Sequence, residues 1–262
     1  MNDTTHTSAH GMVTAPFLRR AWPMALLGTI AVLSLLLQPV PAELLAKAPE
    51  LATLPPLAQR AVLLANPWIL VLVAVVVGAA LAHRVGLRSV LAGTAPAAGW
   101  TDFAAQAAGG GFALGLVLGA ADAAVAPLLG PAWQTLVASA PRGAAATAMG
   151  VLYGGVAEEV MLRWGVMSLV AWALVSLLRS QAHAVSMALA ITAAAVLFAA
   201  GHLPAVATQM DLTPAVVART LVLNGCAGLL YGWLFWRRHL EAAMVAHACT
   251  HLGLAAWRLL PT

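Results

Sequence analysis

The chain has 262 residues, of which 62% are hydrophobic and 8% charged, with a formal net charge of +4 and a mean hydropathy of +0.89. A soluble domain carries about 25% charged residues, so a soluble globular enzyme is excluded. The arginines flank apolar runs as topology signals rather than gathering into a patch, which speaks against a nucleic-acid partner. Apolar runs of about 17 residues or more imply an all-α protein, a polytopic transmembrane helical bundle of about 7–8 spans.

In chain order, residues 1–16 are mostly polar and read as a disordered tail, with His6 and His10 solvated. Arg19-Arg20 precede the run Ala21–Leu37, which has the outline of a signal peptide but is long for one, so a retained first helix is expected. Residues 42–65 form a mixed linker containing Pro55-Pro56, able to lie at the interface as a short amphipathic helix. A second span is predicted over Pro67–Ala82, stopped by His83-Arg84. The third, Phe103–Val125, carries Gly111, Gly115 and Gly119 at every fourth position, which lets a neighbouring helix approach closely. Asp122 near its end reads as a lone interfacial acid.

Gly143–Leu178 is one apolar stretch, closed by Arg179. As a single helix it would run about 54 Å against a hydrocarbon core of about 30 Å. It is one long, tilted crossing or two short helices turning near Trp164-Gly165. One crossing puts Arg19-Arg20, Arg84, Arg88, Arg179 and Arg237-Arg238 on the same side, with Lys47, Arg60 and Arg142 opposite, and is the preferred arrangement. The remaining spans are predicted over Ala184–Leu203, Ala215–Trp236 and Leu240–Leu260. Gly228 and Gly232 form a small-xxx-small face, and Trp233 and Trp236 an interfacial belt. Cys226 and Cys249 are too few for a disulfide framework and read as small buried hydrophobes.

Chemistry enters at Glu158-Glu159-Val-Met-Leu-Arg163, which sets two carboxylates and an arginine inside an apolar run. An ionisable side chain at membrane depth costs about 2.5–3.5 kcal/mol on insertion scales and is a functional candidate by default. Glu159 and Arg163 are i,i+4 and share a helix face, where they can pair. Glu158 points about 100° away and needs another partner. Three histidines lie in the late spans: His202, then His247 and His251, an i,i+4 pair facing one way. A lone histidine on an apolar face is usually a satisfied core residue. Three of them with a spare carboxylate, in a chain so poor in charge, point to a site assembled from different helices.

These residues resemble the three ordered motifs of the CPBP intramembrane proteases, also called the CAAX protease or ABI family, which include the type II CAAX prenyl endopeptidases. The motifs are Glu158-Glu159-x-x-x-Arg163, Phe198-x-x-x-His202 and His247-x-x-x-His251. The approach to the third, Leu229-Leu-Tyr-Gly-Trp233 through Arg237-Arg238 to Leu240-Glu-Ala-Ala-Met244, is similar too. His251 stands where the family often has asparagine, Leu162 where it often has an aromatic residue, and Trp164 where it often has glycine. The resemblance implies a membrane-embedded endopeptidase acting on membrane-associated peptides or proteins in a cell membrane, that of a bacterium on the Ala-rich composition. It implies that Glu158 and His202 activate water, that His247 and His251 stabilise the oxyanion, and that Glu159 and Arg163 are structural. It makes residues 143–262 the catalytic helical core and 17–142 N-terminal transmembrane helices and linkers. Family members are often labelled metalloproteases. No cofactor is favoured here, but zinc is possible, with Glu158, His202 and His247 as ligands. Two other readings compete: a non-catalytic membrane adaptor or bacteriocin-immunity-type protein on the same fold, and an ion pathway lined by the same residues, though no internal repeat is seen.

Overall fold

A computed structural model describes residues 15–40, 42–97, 100–139, 143–178 and 183–260. His6, His10, Arg142 and Arg179 lie outside these. The described residues form helices and turns, with no strand among them. Long helices organise the chain: α1 (Phe17–Leu33), α2 (Pro56–Leu81), α3 (Trp100–Leu129), α4 (Ala144–Leu177), α5 (His183–Gly201), α6 (Pro214–Arg237) and α7 (Leu240–Trp257). The first six lie in segments long and apolar enough to cross a bilayer. α7 is the seventh segment read as a span from the sequence; it is not among those six, and it carries Glu241, His247 and His251.

Boundaries moved where proline was read too strictly. The linker supplies two short helices, Ala42–Lys47 and Pro49–Ala52, but α2 already starts at Pro56 and runs through Pro67. Pro127 likewise lies inside α3. Each proline removes one backbone donor, and membrane helices absorb that loss by local adjustment.

α4 is continuous, with no turn at Trp164-Gly165. Its middle is wound wide, as π-helical turns over Gly150–Glu158 and Val160–Met167. Such turns are rare and frequent at functional sites. The continuous helix has the expected consequence for the described arginines. At one end of the bundle Arg19 Nη1 donates to Leu91 O at 2.9 Å and Arg20 Nε to Ala79 O at 2.8 Å. There, too, the Leu240 N–H reaches Arg88 O at 3.0 Å and His183 Nε2 lies 3.3 Å from Val85 O. At the opposite end Lys47 Nζ donates to Ala207 O at 2.8 Å.

Glu241, to which no role was assigned from the sequence, fastens the arginine-rich end. Its carboxylate accepts from Ser89 Oγ at 2.5 Å and from the N–H groups of Val90 and Leu91 at 3.1 and 3.0 Å. Asp122 is not alone: it lies within α3 and pairs with Arg219 of α6, 2.7 Å away.

The glycine rows do what their spacing predicts. α7 lies in the Gly111/Gly115/Gly119 groove of α3, so close that a Cβ on Gly111 or Gly115 would overlap the carbonyl oxygen of Ala246 or Thr250. Gly228 and Gly232 of α6 pack on Ala195 and Ile191 of α5. Without a hydrophobic force between helices in lipid, this backbone proximity supplies the packing. Gly115→Val should destabilise the detergent-solubilised protein by about 1–3 kcal/mol, the usual cost of overpacking. Gly109→Ala, with nothing within 4 Å of the new Cβ, should leave thermal unfolding nearly unchanged.

Candidate active site

α4 brings the carboxylates and α7 the histidines, and glycine makes the meeting possible. A Cβ on Gly150 or Gly154 would overlap the His251 ring, and one on Gly155 would press on Ala248. α7 can therefore lie against the wide turns of α4 with His247 and His251 facing inward.

Glu159 lies at the bottom of the site. Its Oε1 is 3.1 Å from Arg163 Nη1, and both side chains are 0% exposed. The same oxygen is 2.8 Å from His247 Nδ1. Arg163 Nη2 donates to Gly228 O at 3.0 Å, and its guanidinium lies over the rings of Phe198 and Tyr231, 4.8 and 5.2 Å from their centroids. The predicted i,i+4 pair is present, and it holds more than α4: it ties α4 to α6 through Arg163 and to α7 through Glu159.

A guanidinium keeps its charge, so the carboxylate between it and the imidazole is the acceptor and His247 Nδ1 carries the hydrogen. His247 Nε2 then faces the other way, 3.8 Å from Glu158 Oε2. The two glutamates are thus divided as the 100° offset predicts. Glu159 is sealed, while the Glu158 side chain keeps 19% of its surface open.

The His247 ring is fixed on both faces and one edge. Tyr231 stacks on it at 4.4 Å and His251 at 5.2 Å, each within about 16° of parallel, and Phe198 meets it edge-on at 5.5 Å. Tyr231 stood in the quoted sequence around the third motif without a role, and the stacking supplies one. His202 follows the last residue of α5. Its Nδ1 is 2.8 Å from the carbonyl oxygen of Phe198, which can only accept, so Nδ1 donates and Nε2 is left bare. The Phe198 ring lies 4.8 Å from that of His202 and 5.5 Å from that of His247. Glu158, His247 and His251 are therefore gathered directly, and His202 shares the contact with Phe198.

A cavity of about 330 Å³ lies between the start of α4 and the end of α7, lined by Gly143, Ala146, Thr147, His251, Leu254 and Arg258. It reaches the site at His251. Among the described residues, no group of three or more His, Cys, Asp or Glu side chains could hold a metal ion. The set suggested from the sequence, Glu158, His202 and His247, does not converge as ligands, and no step below uses a metal.

Removing one member of a buried pair strands the other. Arg163→Leu should destabilise the protein by about 3–5 kcal/mol, read as thermal unfolding in detergent. The double variant with Glu159→Gln should lose less than the sum of the two single losses, because both act on one network.

Residues 140–253 match the family model described as type II CAAX prenyl endopeptidase Rce1-like. No curated protein and no solved structure matches the chain. The matched segment runs from the start of α4 to His251 and beyond, and so holds all three motifs and every side chain of the site. Over residues 140–253 the chain is similar to the CPBP, or CAAX protease, family.

Proposed function

We propose that the chain is a membrane-embedded endopeptidase that hydrolyses peptide bonds of membrane-associated substrates, with residues 17–142 as helical scaffold and 143–262 as catalytic core. One observation carries the reading: Glu158 Oε2 faces His247 Nε2 at 3.8 Å, above a sealed Glu159–Arg163 pair, in the family's own segment. A cell membrane, bacterial on composition, is its proposed location.

The charges of the site support catalysis with protein groups alone. Arg163 and Glu159 cancel. One proton then serves Glu158 and His247 together, and the cluster is neutral with that proton on either. With the proton on His247 Nε2, Glu158 is an ionised base that balances the imidazolium, His247 is a donor, and Glu159 accepts from Nδ1 beneath the ring. A single internal transfer therefore readies both groups, with no net charge created in a water-poor site.

In that form Glu158 takes a proton from water, and the oxygen attacks the substrate carbonyl carbon. His247 Nε2–H and His251 donate to the developing oxyanion, where such donors contribute most because bulk water is excluded. Glu158 returns its proton to the departing amine. His202, its Nδ1 spent on Phe198 O, offers Nε2 as an acceptor to hold the water. Glu159, Arg163 and Tyr231 position His247.

The test uses protein reconstituted in vesicles with a membrane-peptide library. Wild type should cleave, with or without chelator, and Glu158→Gln should lose about 100- to 10,000-fold, the range for a general acid–base group, while its thermal unfolding stays close to wild type. Chelator-sensitive cleavage restored by zinc would replace the glutamate mechanism with a metal one. A well-folded wild type that cleaves nothing would favour the adaptor reading. A second expectation concerns His251. An asparagine amide donates at any pH, whereas an imidazole must hold its proton on the correct nitrogen. His251→Asn should therefore flatten the pH–rate profile, and an unchanged profile would remove His251 from the oxyanion site.

A further inference from the structure

The two ends of the bundle differ, and the site belongs to one of them. The hydrogen bonds of Arg19, Arg20, Arg88 O and His183 gather the starts of α1, α5 and α7 with the end of α2. Arg84, Arg88, Arg237 and Arg238 lie at that same end, and Arg179 follows it in sequence. At the other end are Lys47, which reaches Ala207, and Arg60 and Arg258, with Arg142 preceding α4 in sequence. Arg219 is held inside by Asp122 and the Trp133 ring, 4.5 Å from its centroid. The arginines are thus biased to one side and sit in short loops directly against helix ends, where the positive-inside rule has most force. The pair in front of the first helix, which usually dominates orientation, is on that side too.

The site opens the other way. α4 starts at the arginine-poor end, and so does the cavity, between Gly143 and Arg258. His251 is its innermost lining residue, seven residues or about 10 Å along α7 from Arg258. His202 ends α5 on the same side. The cavities at the arginine-rich end involve none of Glu158, His202, His247 or His251: one is lined by residues such as Arg88, Phe103 and Arg237, the other by Phe103, Leu230 and Trp233.

We infer that the active site opens on the extracytoplasmic face of the membrane. Its substrate is a membrane-anchored peptide segment that has already been exported, and an export step must supply it. The lining of Ala146, Leu254 and Ala255 suits apolar side chains of such a segment, with Arg258 at the rim. The substrate statement rests on the peptidase reading above, whereas the orientation does not.

The test reads orientation without activity. In a chain with Cys226 and Cys249 replaced by alanine, single cysteines are placed at the mouth by Arg258→Cys or Leu259→Cys, or at the opposite end by Arg88→Cys. All three positions are exposed. In sealed right-side-out vesicles a membrane-impermeant maleimide should label both mouth cysteines and spare Arg88→Cys until detergent is added. Label on Arg88→Cys alone, or on the mouth cysteines only after detergent, overturns the orientation. Wild type in the same vesicles should cleave an apolar membrane-anchored peptide presented outside. Correct labelling with no cleavage from either face removes the peptidase reading and the substrate claim, and the orientation survives. Cleavage confined to peptide trapped inside overturns the substrate claim directly.

Discussion

A single carboxylate oxygen, Glu159 Oε1, holds the site together. It lies 3.1 Å from Arg163 Nη1 and 2.8 Å from His247 Nδ1, with no exposed surface on Glu159 or Arg163. Three consequences follow from burial. The arginine is locked into its bond with Gly228 O and its place over Phe198 and Tyr231, which fixes α6. The imidazole is fixed in one tautomer, which decides which nitrogen faces Glu158. The charge beneath the ring then sets what the ring can do above it. A buried ion pair gives little net stability, so its justification here is geometric: it aims His247.

The aim depends on how near α7 can come, and glycine controls that on two sides. Gly150, Gly154 and Gly155 open α4 to His247, Ala248 and His251, while Gly111, Gly115 and Gly119 open α3 to the back of the same helix. α7 carries the site's histidines and Glu241 among its apolar residues, and it is held by backbone proximity and by the Glu241 bonds to residues 89–91. Function and packing thus compete for one helix, and the neighbouring glycines resolve the conflict. The wide turns of α4 lie on this same contact.

Much of this was legible because charge is so scarce in the chain. Each ionisable residue in an apolar run must have a partner or a purpose, and the i,i+4 offset alone separated Glu159 from Glu158. The four-residue glycine rows predicted close helix contacts, and the arginine distribution favoured an α4 without a turn at Trp164-Gly165, which is what is found. What could not be read was long-range or conformational. Nothing local links Glu159 to His247, 88 residues away, so Glu159 was read as a brace for its own helix only. The same holds for Asp122 with Arg219 and Glu241 with Ser89. The pairing of Glu158 with His202 followed the family motif, whereas the geometry sets His247 nearer, because His202 turns its Nδ1 onto the carbonyl one turn back. π-helical turns have no simple residue signature, and Pro67 inside α2 shows that a proline is a weak stop signal where a membrane helix can absorb it.

The central claim is that Glu159 fixes the His247 tautomer, and nitrogen NMR of histidine-labelled protein in detergent or nanodiscs tests it most directly, with His247 assigned by its loss in a His247→Ala variant. The account predicts a proton on His247 Nδ1 throughout the pH range of activity, disturbed by Glu159→Gln and not by Glu158→Gln. A resting His247 that carries its proton on Nε2 with Nδ1 bare, or a Nδ1 proton indifferent to Glu159→Gln, would contradict it.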